Sequence, residues 1–299
     1  MIVTTGQIYR GLKLTLDSIL TDPTSAKSNI GEYFDVGKME DAYVEEAEFG
    51  GPLLLQEKPE GAAAAIGDMS QGGVVRFTAR TMALHLHATE EAVEDCKYEK
   101  ILNFAKRLSH SSAKTQDYDG ANTIIRSTTA AATGGTDAVC LASASHVLPT
   151  GATWSNLADT YQTPSQAALI AARVKCGKYP SQNGLIEGNM IEAIVCTLFQ
   201  EAVWEAVIGS DKVTGSNFND INVVKKYKLK IIANKYLDGA SATQWGCLTD
   251  ADEGLKWKWR VKPESRTWVD NDASVLKYGI RYREAHGWSD ARCWYQGNV

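Results

Sequence analysis

The sequence predicts an α+β fold. A stretch that begins at Val75 alternates apolar and polar residues as a strand does, and two later segments, at Thr163 and Thr197, open with helix-capping patterns. Strands and helices follow one another without the regular strand–helix–strand order of a parallel sheet, which favours α+β over α/β. A chain of 299 residues is long enough for one elaborate domain or two ordinary ones.

The first 86 residues predict an arm followed by a long loop. Residues 1–35 are turn-rich and lack periodicity, which is typical of an arm. Residues 36–86 are acidic and then glycine-rich, and they end in the strand "VVRFTARTMALHLH", so we expect one limb of an extended hairpin. Glycine, alanine and acidic residues supply little apolar area to offset the entropy of chain ordering. The hairpin loop is therefore predicted to be extended and poorly packed on the rest of its chain.

A helix of about 20 residues is predicted over 89–110. Thr89 is a suitable N-cap, acidic residues fill the first turn, and Lys106, Arg107 and His110 close the last turns, where the helix dipole favours cations. The threonine- and glycine-rich stretch 111–162 is expected to be turns and loops.

The rest of the chain mixes further helices and strands. Thr163, Pro164 and Gln166 form a capping box for a helix over 163–175, and Thr197 with Gln200 caps a second helix that ends at Gly209. The segment "IEAIVCT" between them reads as a buried strand, and "NVVKKYKLKIIAN" suggests two short strands. In "LKWKWRV" apolar and basic residues alternate, which predicts a sheet with one solvated face, and "SVLKYGIRYREAHGW" and "ARCWYQG" close the chain as strands.

Charge is distributed unevenly along the chain. Residues 32–60 carry nine acidic residues and two lysines, whereas residues 222–299 carry 14 Lys and Arg against 9 Asp and Glu. Opposite charge on two segments favours contact between them, within one chain or between copies, although two separately solvated faces are an equal alternative. Glu45, Glu46 and Glu48 are the candidate assembly contacts on the acidic side.

The sequence offers little for catalysis. Cys140 and His146 could form a nucleophile and base, but no glycine frame or helix start organises them. His85 and His87 share one face of a strand without further ligands in view. The six cysteines form no CxxC pair and fit reduced thiols, and phosphate-loop, dinucleotide and zinc-protease motifs are missing from the sequence. We therefore expect no enzyme, no cofactor and no metal site. The N-terminus does not resemble a signal peptide, and no apolar run is long enough for a membrane span.

One stretch carries a resemblance to a known family. "DAVCLASASHVLPTGATWSNLAD" is similar to a segment of many tailed-bacteriophage major capsid proteins, in which a short strand leads to Ser-x-x-His and then to Gly-x-Thr-aromatic-Ser-Asn. The chain departs from that pattern at Val147, where the family usually has proline. The order of elements from about 75 to 299 is also similar. The matching residues are Ser143, His146, Gly151, Thr153, Trp154, Ser155 and Asn156.

This resemblance implies the Hong Kong 97-type fold and a structural role. The implied parts are an N-terminal arm (1–35), an extended hairpin loop (36–86), a peripheral domain (87–160 and 269–299) whose spine helix is placed at 89–110, and an axial domain (161–268). It implies pentamers and hexamers that close into an icosahedral head around phage double-stranded DNA, which the protein contacts non-specifically. The implied location is the virion, after assembly in the host bacterial cytoplasm, without a membrane. Portal and decoration proteins are further implied partners.

Two alternatives stay open at this point. The first is an encapsulin-like protein compartment of the same fold, and the second is a small hydrolase that uses Cys140 and His146. Because Met1 begins almost directly in the arm, any scaffolding protein is expected to be a separate chain.

Overall fold

The structure, a computed structural model, describes residues 28–50, 71–89, 98–129, 133–213, 220–239, 243–270 and 275–297, with short pieces between 54 and 66. Three α-helices lie in this described part, and they combine with two four-stranded sheets and three two-stranded pairs. The predicted α+β class is confirmed. The helices are α1 (Tyr98–Ile125), α2 (Gln166–Cys176) and α3 (Leu198–Gly209).

The first sheet is built around two long antiparallel strands near the C-terminus. Its order is β1 (Asp35–Lys38), β12 (Leu255–Asp270), β13 (Val275–Trp288) and β4 (Arg80–Thr89), with β1 parallel to β12 and the other pairs antiparallel. In β12 Leu255, Trp257 and Trp259 of "LKWKWRV" are buried and Val261 is half-buried, so the predicted alternation is confirmed from Leu255 to Trp259. The lysines on its other face are largely covered, because the hairpin described below lies over them.

The second sheet has the order β10 (Lys230–Asn234), β9 (Ile191–Thr197), β11 (Trp245–Thr249) and β14 (Trp294–Gln296). Strand β9 is buried on both faces, as the apolar run "IEAIVCT" predicts. Its side chains alternate between two apolar clusters, with Ala193 and Val195 in one and Ile194 and Cys196 in the other. This strand therefore joins the two halves of the core.

The remaining strands form three short antiparallel pairs. Strands β2 (Tyr43–Phe49) and β3 (Gln71–Thr78) make the hairpin, so the prediction of an extended segment is confirmed for these residues. The prediction that the segment packs poorly on its own chain is wrong at the hairpin base, where Met39 and Phe77 are buried against Ala285. Further along, β5 (Thr133–Gly134) pairs with β6 (Val139–Cys140), and β7 (His146–Val147) pairs with β8 (Thr153–Trp154).

Helix α1 is longer than the sequence predicts. We expected it to end at His110, but it continues to Ile125, through a stretch whose serines and threonines favour turns. Tertiary packing overrides that preference, because Ala121 and Ile124 are fully buried beyond the predicted end. The predicted helix start at Thr89 is wrong, because Thr89 is the last residue of β4, where it pairs with Val275. The described helix begins at Tyr98, and residues 90–97 lie outside the described residues.

Several local predictions on the later elements were wrong. Thr197 occupies the N-cap position of α3, but its side chain makes no capping hydrogen bond, and the Gln200 amide donates to the Thr243 carbonyl. Helix α2 is capped by Ser165, whose hydroxyl accepts from the Ala168 N–H, and not by Thr163. The first of the two strands expected in "NVVKKYKLKIIAN" is instead a 3-10 turn over Val224–Tyr227, which buries Val224 against α2 and α3. The second strand is β10 as expected, and α3 ends at Gly209 as expected.

The end of the predicted arm packs into the core. A 3-10 turn over Ile30–Glu32 buries Ile30, Tyr33 and Phe34 against the first apolar cluster, and the Phe34 ring meets the Trp257 ring edge-on at 5.8 Å. Residues 1–27 lie outside the described residues. The four-part division of the chain stays a prediction. Two strand pairs join the predicted axial domain (161–268) to the predicted peripheral segment (269–299): β12 pairs with β13, and β11 pairs with β14.

Candidate assembly surface

The base of the β2–β3 hairpin is held by Glu46. Its carboxylate accepts hydrogen bonds from the Lys256 ammonium at 2.7 Å and from the Ser289 hydroxyl at 2.6 Å, and it also pairs with Lys258. Burial opposes ionisation of this carboxyl, but the hydrogen bonds from the two lysines and the serine outweigh it and lower the pKa of Glu46 to about 2. One glutamate therefore ties the hairpin to strand β12 and to the end of β13.

A second ionic contact lies two residues further along β2. Glu48 accepts from the buried Arg292 guanidinium at 2.8 Å and from the Thr136 hydroxyl. Arg292 also donates to Asp290 at 2.7 Å and to the Pro180 carbonyl at 2.6 Å. Burial raises the pKa of Asp290 to about 6, with Arg292 lowering it and the nearby Glu48 raising it. Two carboxylates thus compete for one buried cation at this point.

The other hairpin strand makes a close backbone contact with the body. A Cβ atom built on Gly73 would lie 1.6 Å from the Thr136 carbonyl oxygen. Only glycine fits where two backbones approach this closely. The hairpin base is therefore fixed from both strands, by ion pairs on β2 and by a close approach on β3. We call Glu46, Glu48 and Gly73 with their partners the hairpin anchor.

The three predicted assembly glutamates lie in two different environments in the structure. Glu46 and Glu48 are half-buried and pair with basic residues of their own chain, so the acidic and basic segments do attract each other, within one molecule. Glu45 is exposed on the other face of β2, across from Arg76. Contact of these residues with a neighbouring subunit stays a prediction, and Glu45 is the residue that is open to it.

Beyond its base the hairpin exposes apolar side chains. Phe49 is 62% exposed, and in the pieces described further out Leu54, Leu55 and Ile66 are 73%, 102% and 98% exposed. Further exposed apolar side chains lie on the helices that cover the second sheet. They are Ile170 and Val174 on α2, with Leu198, Phe199 and Val203 on α3. Exposed apolar side chains that lie together mark interaction sites, so the two sets are candidates for contact with other copies.

The capsid-like motif at 141–156 forms a buried polar clamp. The Asn156 carboxamide donates to the carbonyls of Leu141 at 2.7 Å and Ala291 at 3.1 Å, while its oxygen accepts from the Ser143 N–H at 2.8 Å. These partners fix the orientation of the amide group. The clamp ties the middle of the chain to its C-terminal strand.

His146, the predicted catalytic base, is part of the same clamp. His146 Nε2 lies 3.1 Å from the Asn156 side-chain oxygen, and Nδ1 lies 2.5 Å from an Asp137 carboxylate oxygen. The Cys140 thiol donates instead to the Ala142 carbonyl at 3.3 Å. His146 is fully buried and stacks on Trp154 at 4.7 Å. Neither ring nitrogen is therefore placed to take a proton from Cys140.

Sequence reasoning missed several of these residues. The sequence predicts a solvated face for Lys256 and Lys258, and it does not single out Arg292 as the partner of an acidic residue. The signal in the sequence is that the β2 segment is acidic and the β12 segment is basic. This opposite charge indicates contact between the two strands, but it does not indicate which residues pair. None of the described helices is long and apolar enough to cross a membrane.

Comparison with known proteins gives one kind of match. No family model and no curated protein matches the sequence. Solved structures do match: the capsid of the cyanophage P-SCSP1u at 10% identity, with a TM-score of 0.60, covers 91% of this chain and 88% of its own. The capsid of an empty GTA particle (10% identity, TM-score 0.53) covers 99% and 98%, and the mature capsid of bacteriophage PhiM1 (8%, 0.54) covers 90% and 86%.

At such low identity these matches are evidence for the fold alone, and they extend over nearly the whole of each chain. The long helix α1 and the extended hairpin are parts that the resemblance in the sequence led us to expect, whereas the anchoring of the hairpin base was not expected. The chain has the Hong Kong 97-type capsid fold.

Proposed function

We propose that this chain is a major capsid protein, many copies of which assemble as pentamers and hexamers into the icosahedral head that encloses phage double-stranded DNA. The observation that carries the proposal is the fold match with capsid structures over about nine-tenths of the chain. The interpretation of the motif around Asn156 as structural agrees with it.

The geometry of the exposed surfaces supports assembly. A ring of subunits needs two different surfaces on each copy, one to meet each neighbour. The distal hairpin and the outer faces of α2 and α3 are separate exposed apolar surfaces on one chain. Because each subunit uses several contacts at once, contacts of modest strength together hold a shell.

We retain the division into arm, hairpin loop, peripheral domain and axial domain as part of the proposal, with two revisions. Residues 255–268 pair with β13 and are grouped with the peripheral domain, and β14 pairs with β11 and is grouped with the axial domain. The proposed partners are other copies of the chain, packaged DNA, a separate scaffolding protein, portal and decoration proteins. The proposed location is the virion, after assembly in the host bacterial cytoplasm.

Electron microscopy of the purified protein tests the proposal. We expect closed icosahedral particles or, without a scaffolding protein, free pentamers and hexamers. A protein that stays monomeric at high concentration, with and without the products of neighbouring genes, would contradict it.

The contents of the particles separate the proposal from its nearest alternative. Particles from infected cells that hold nuclease-protected DNA support a phage head, whereas particles that hold a cargo protein support an encapsulin-like compartment. The hydrolase alternative requires rapid thiol labelling of Cys140 at neutral pH, which the hydrogen bonds of His146 give no reason to expect.

A further inference from the structure

The inner ionic contact of the hairpin anchor, at Glu46, has balanced charge. Lys256 and Lys258 both pair with Glu46, and Lys256 also pairs with Glu253, so two cations meet two carboxylates. Burial raises the pKa of Glu46, but the hydrogen bonds from the two lysines outweigh it and bring the pKa to about 2. The inner contact therefore keeps its charge in mildly acidic and in neutral solution.

The outer ionic contact, at Glu48, has an excess of acidic groups. The Arg292 guanidinium meets Glu48 at 2.8 Å, Asp290 at 2.7 Å and Glu187 at 3.7 Å. Its Nη1 donates to both Glu48 and Asp290, but a single positive charge faces three carboxylates. Two gaps at the hairpin base are lined by this contact, and Arg292 is the one basic side chain among the described residues that line them. Their further acidic lining residues are Asp137, Asp250, Asp252 and Glu253.

Asp290 is the group of the outer contact that changes charge near neutral pH. Burial raises its pKa to about 6, with Arg292 lowering it and Glu48 raising it. Burial opposes the charge on Arg292, but Asp290 and Glu48 outweigh it and raise its pKa, so this side chain stays a cation. The neighbouring Cys293 thiol stays neutral, because burial raises its pKa. Between pH 5 and pH 7.5 a negative charge therefore appears on Asp290, beside Glu48.

The position of Glu48 and the proton on Asp290 depend on each other. Because the hairpin residue Glu48 raises the pKa of Asp290, a proton on Asp290 must in turn favour the arrangement in which Glu48 is close. We propose that the outer contact is a proton-sensitive device that holds strand β2 to the body more firmly in mildly acidic than in neutral solution, while the inner contact holds at both. This inference does not depend on shell assembly.

Hydrogen exchange of the unassembled full-length protein at pH 5 and pH 7.5 tests the proposal. A two-stranded hairpin is marginally stable by itself in water, so release of β2 from the body exposes the β2 and β3 amides to exchange. After correction for the intrinsic effect of pH on exchange, we expect these amides to be about threefold to tenfold better protected at pH 5, since tenfold is about the limit for one group with a pKa of about 6. Amides of the buried strand β9 report opening of the whole molecule.

Three variants separate the proton from the rest of the contact. Asp290→Asn cannot titrate, yet its side-chain oxygen can still accept from the Arg292 backbone N–H, so protection of the hairpin should become equal at the two pH values. Glu48→Gln removes the charge to which the proton is coupled, and the difference should fall below about twofold. Glu45→Gln makes the same substitution on the exposed face of the same strand and should retain the full difference.

Equal protection of the hairpin at the two pH values in the unmodified protein, or better protection at pH 7.5, would overturn the proposal. An undiminished difference in Asp290→Asn would do the same, because another group would then carry the proton. If Asp290→Asn does not fold, Glu48→Gln decides, and a full difference in that variant contradicts the coupling. A difference that the β9 amides share equally would belong to unfolding of the whole molecule and would also contradict it.

Discussion

Gly73 shows how one residue fixes the position of the whole hairpin. Because its Cβ position is occupied by the Thr136 carbonyl, Gly73→Ala must push β3 away from the body or move the 133–140 turn. Overpacking of this kind costs about 1–3 kcal/mol, which urea unfolding of the unassembled protein would measure. Gly37→Ala is the matched control, since nothing lies within 4 Å of its Cβ position. Equal stability of the two variants would contradict the close approach.

Glu46 makes part of the stability depend on acid pH. Its pKa is lowered from 4.5 to about 2, so its contribution is fully present above pH 4.5 and is lost as pH falls from 4.5 through about 2. Glu46→Gln should therefore cost about 1–2 kcal/mol at pH 7, after allowance for partial solvent screening. The difference between variant and unmodified protein should shrink below pH 4. A cost that does not vary with pH would mean that shape, and not charge, holds the hairpin.

Asp290 titrates with the opposite sign. Burial raises its pKa from 3.8 to about 6, so the folded state binds a proton that the unfolded chain has released between these values. The stability that this group contributes is present below pH 3.8 and is lost as pH rises through 6. Asp290→Asn removes this decline, so its unfolding free energy should rise more steeply with pH between 4 and 6 than that of the unmodified protein. Parallel curves would contradict the raised pKa.

Residues such as these were beyond sequence reasoning because their partners are distant in the chain. Glu46 and Lys256 are 210 positions apart, and Asp290 acquires its pKa from burial beside Arg292 and Glu48. The motif that ends at Asn156 was recognisable, and its interpretation as structural agrees with the clamp. Its partner at Ala291, 135 positions away, depends on how the chain returns on itself.

At the scale of elements, the strong periodic patterns were predictable and the boundaries were not. The alternation in β12, the apolar run of β9 and the start of α3 each follow from local sequence. The sequence predicts an end of helix α1 at His110 because the next turns are rich in Ser and Thr, and it predicts a strand where the structure has the 3-10 turn at 224–227. In both places burial against other elements decides the conformation.

The final turns of α1 provide an element-scale prediction. Ile124 is buried in the first apolar cluster, 14 residues beyond the predicted helix end. Ile124→Ala should cost about 2–4 kcal/mol through lost burial and the cavity left behind, measured by urea unfolding. Lys114→Ala, exposed on the same helix, should change stability by less than about 0.5 kcal/mol. A small cost at Ile124 would mean that these turns are not packed on the core.

At the scale of the whole molecule, the chain divides its charge and its apolar surface between two tasks. The acidic base of the hairpin is used within the chain, where Glu46 and Glu48 meet Lys256, Lys258 and Arg292. The apolar residues beyond the base contact little of their own chain. A hairpin that is fixed at its base and exposed beyond it can present those residues to a neighbour in a defined position, with less entropy left to lose on binding.

This division predicts opposite behaviour for two variants. Leu55 is fully exposed, so Leu55→Ser should leave the unfolding free energy of the unassembled protein within about 0.5 kcal/mol of its unmodified value. If the distal hairpin packs on another copy, this variant should raise the protein concentration needed for assembly, followed by light scattering and electron microscopy.

Replacing Glu45, Glu46 and Glu48 together by Gln should lower the stability of the unassembled protein, because two of the three hold the anchor. The single change Glu45→Gln isolates the exposed carboxylate, and any effect on assembly should be largest at low salt, since surface charges are screened over about 8 Å at physiological ionic strength. Unchanged assembly of Leu55→Ser would show that the distal hairpin does not form the intersubunit contact and would leave the outer faces of α2 and α3 as the surfaces to test.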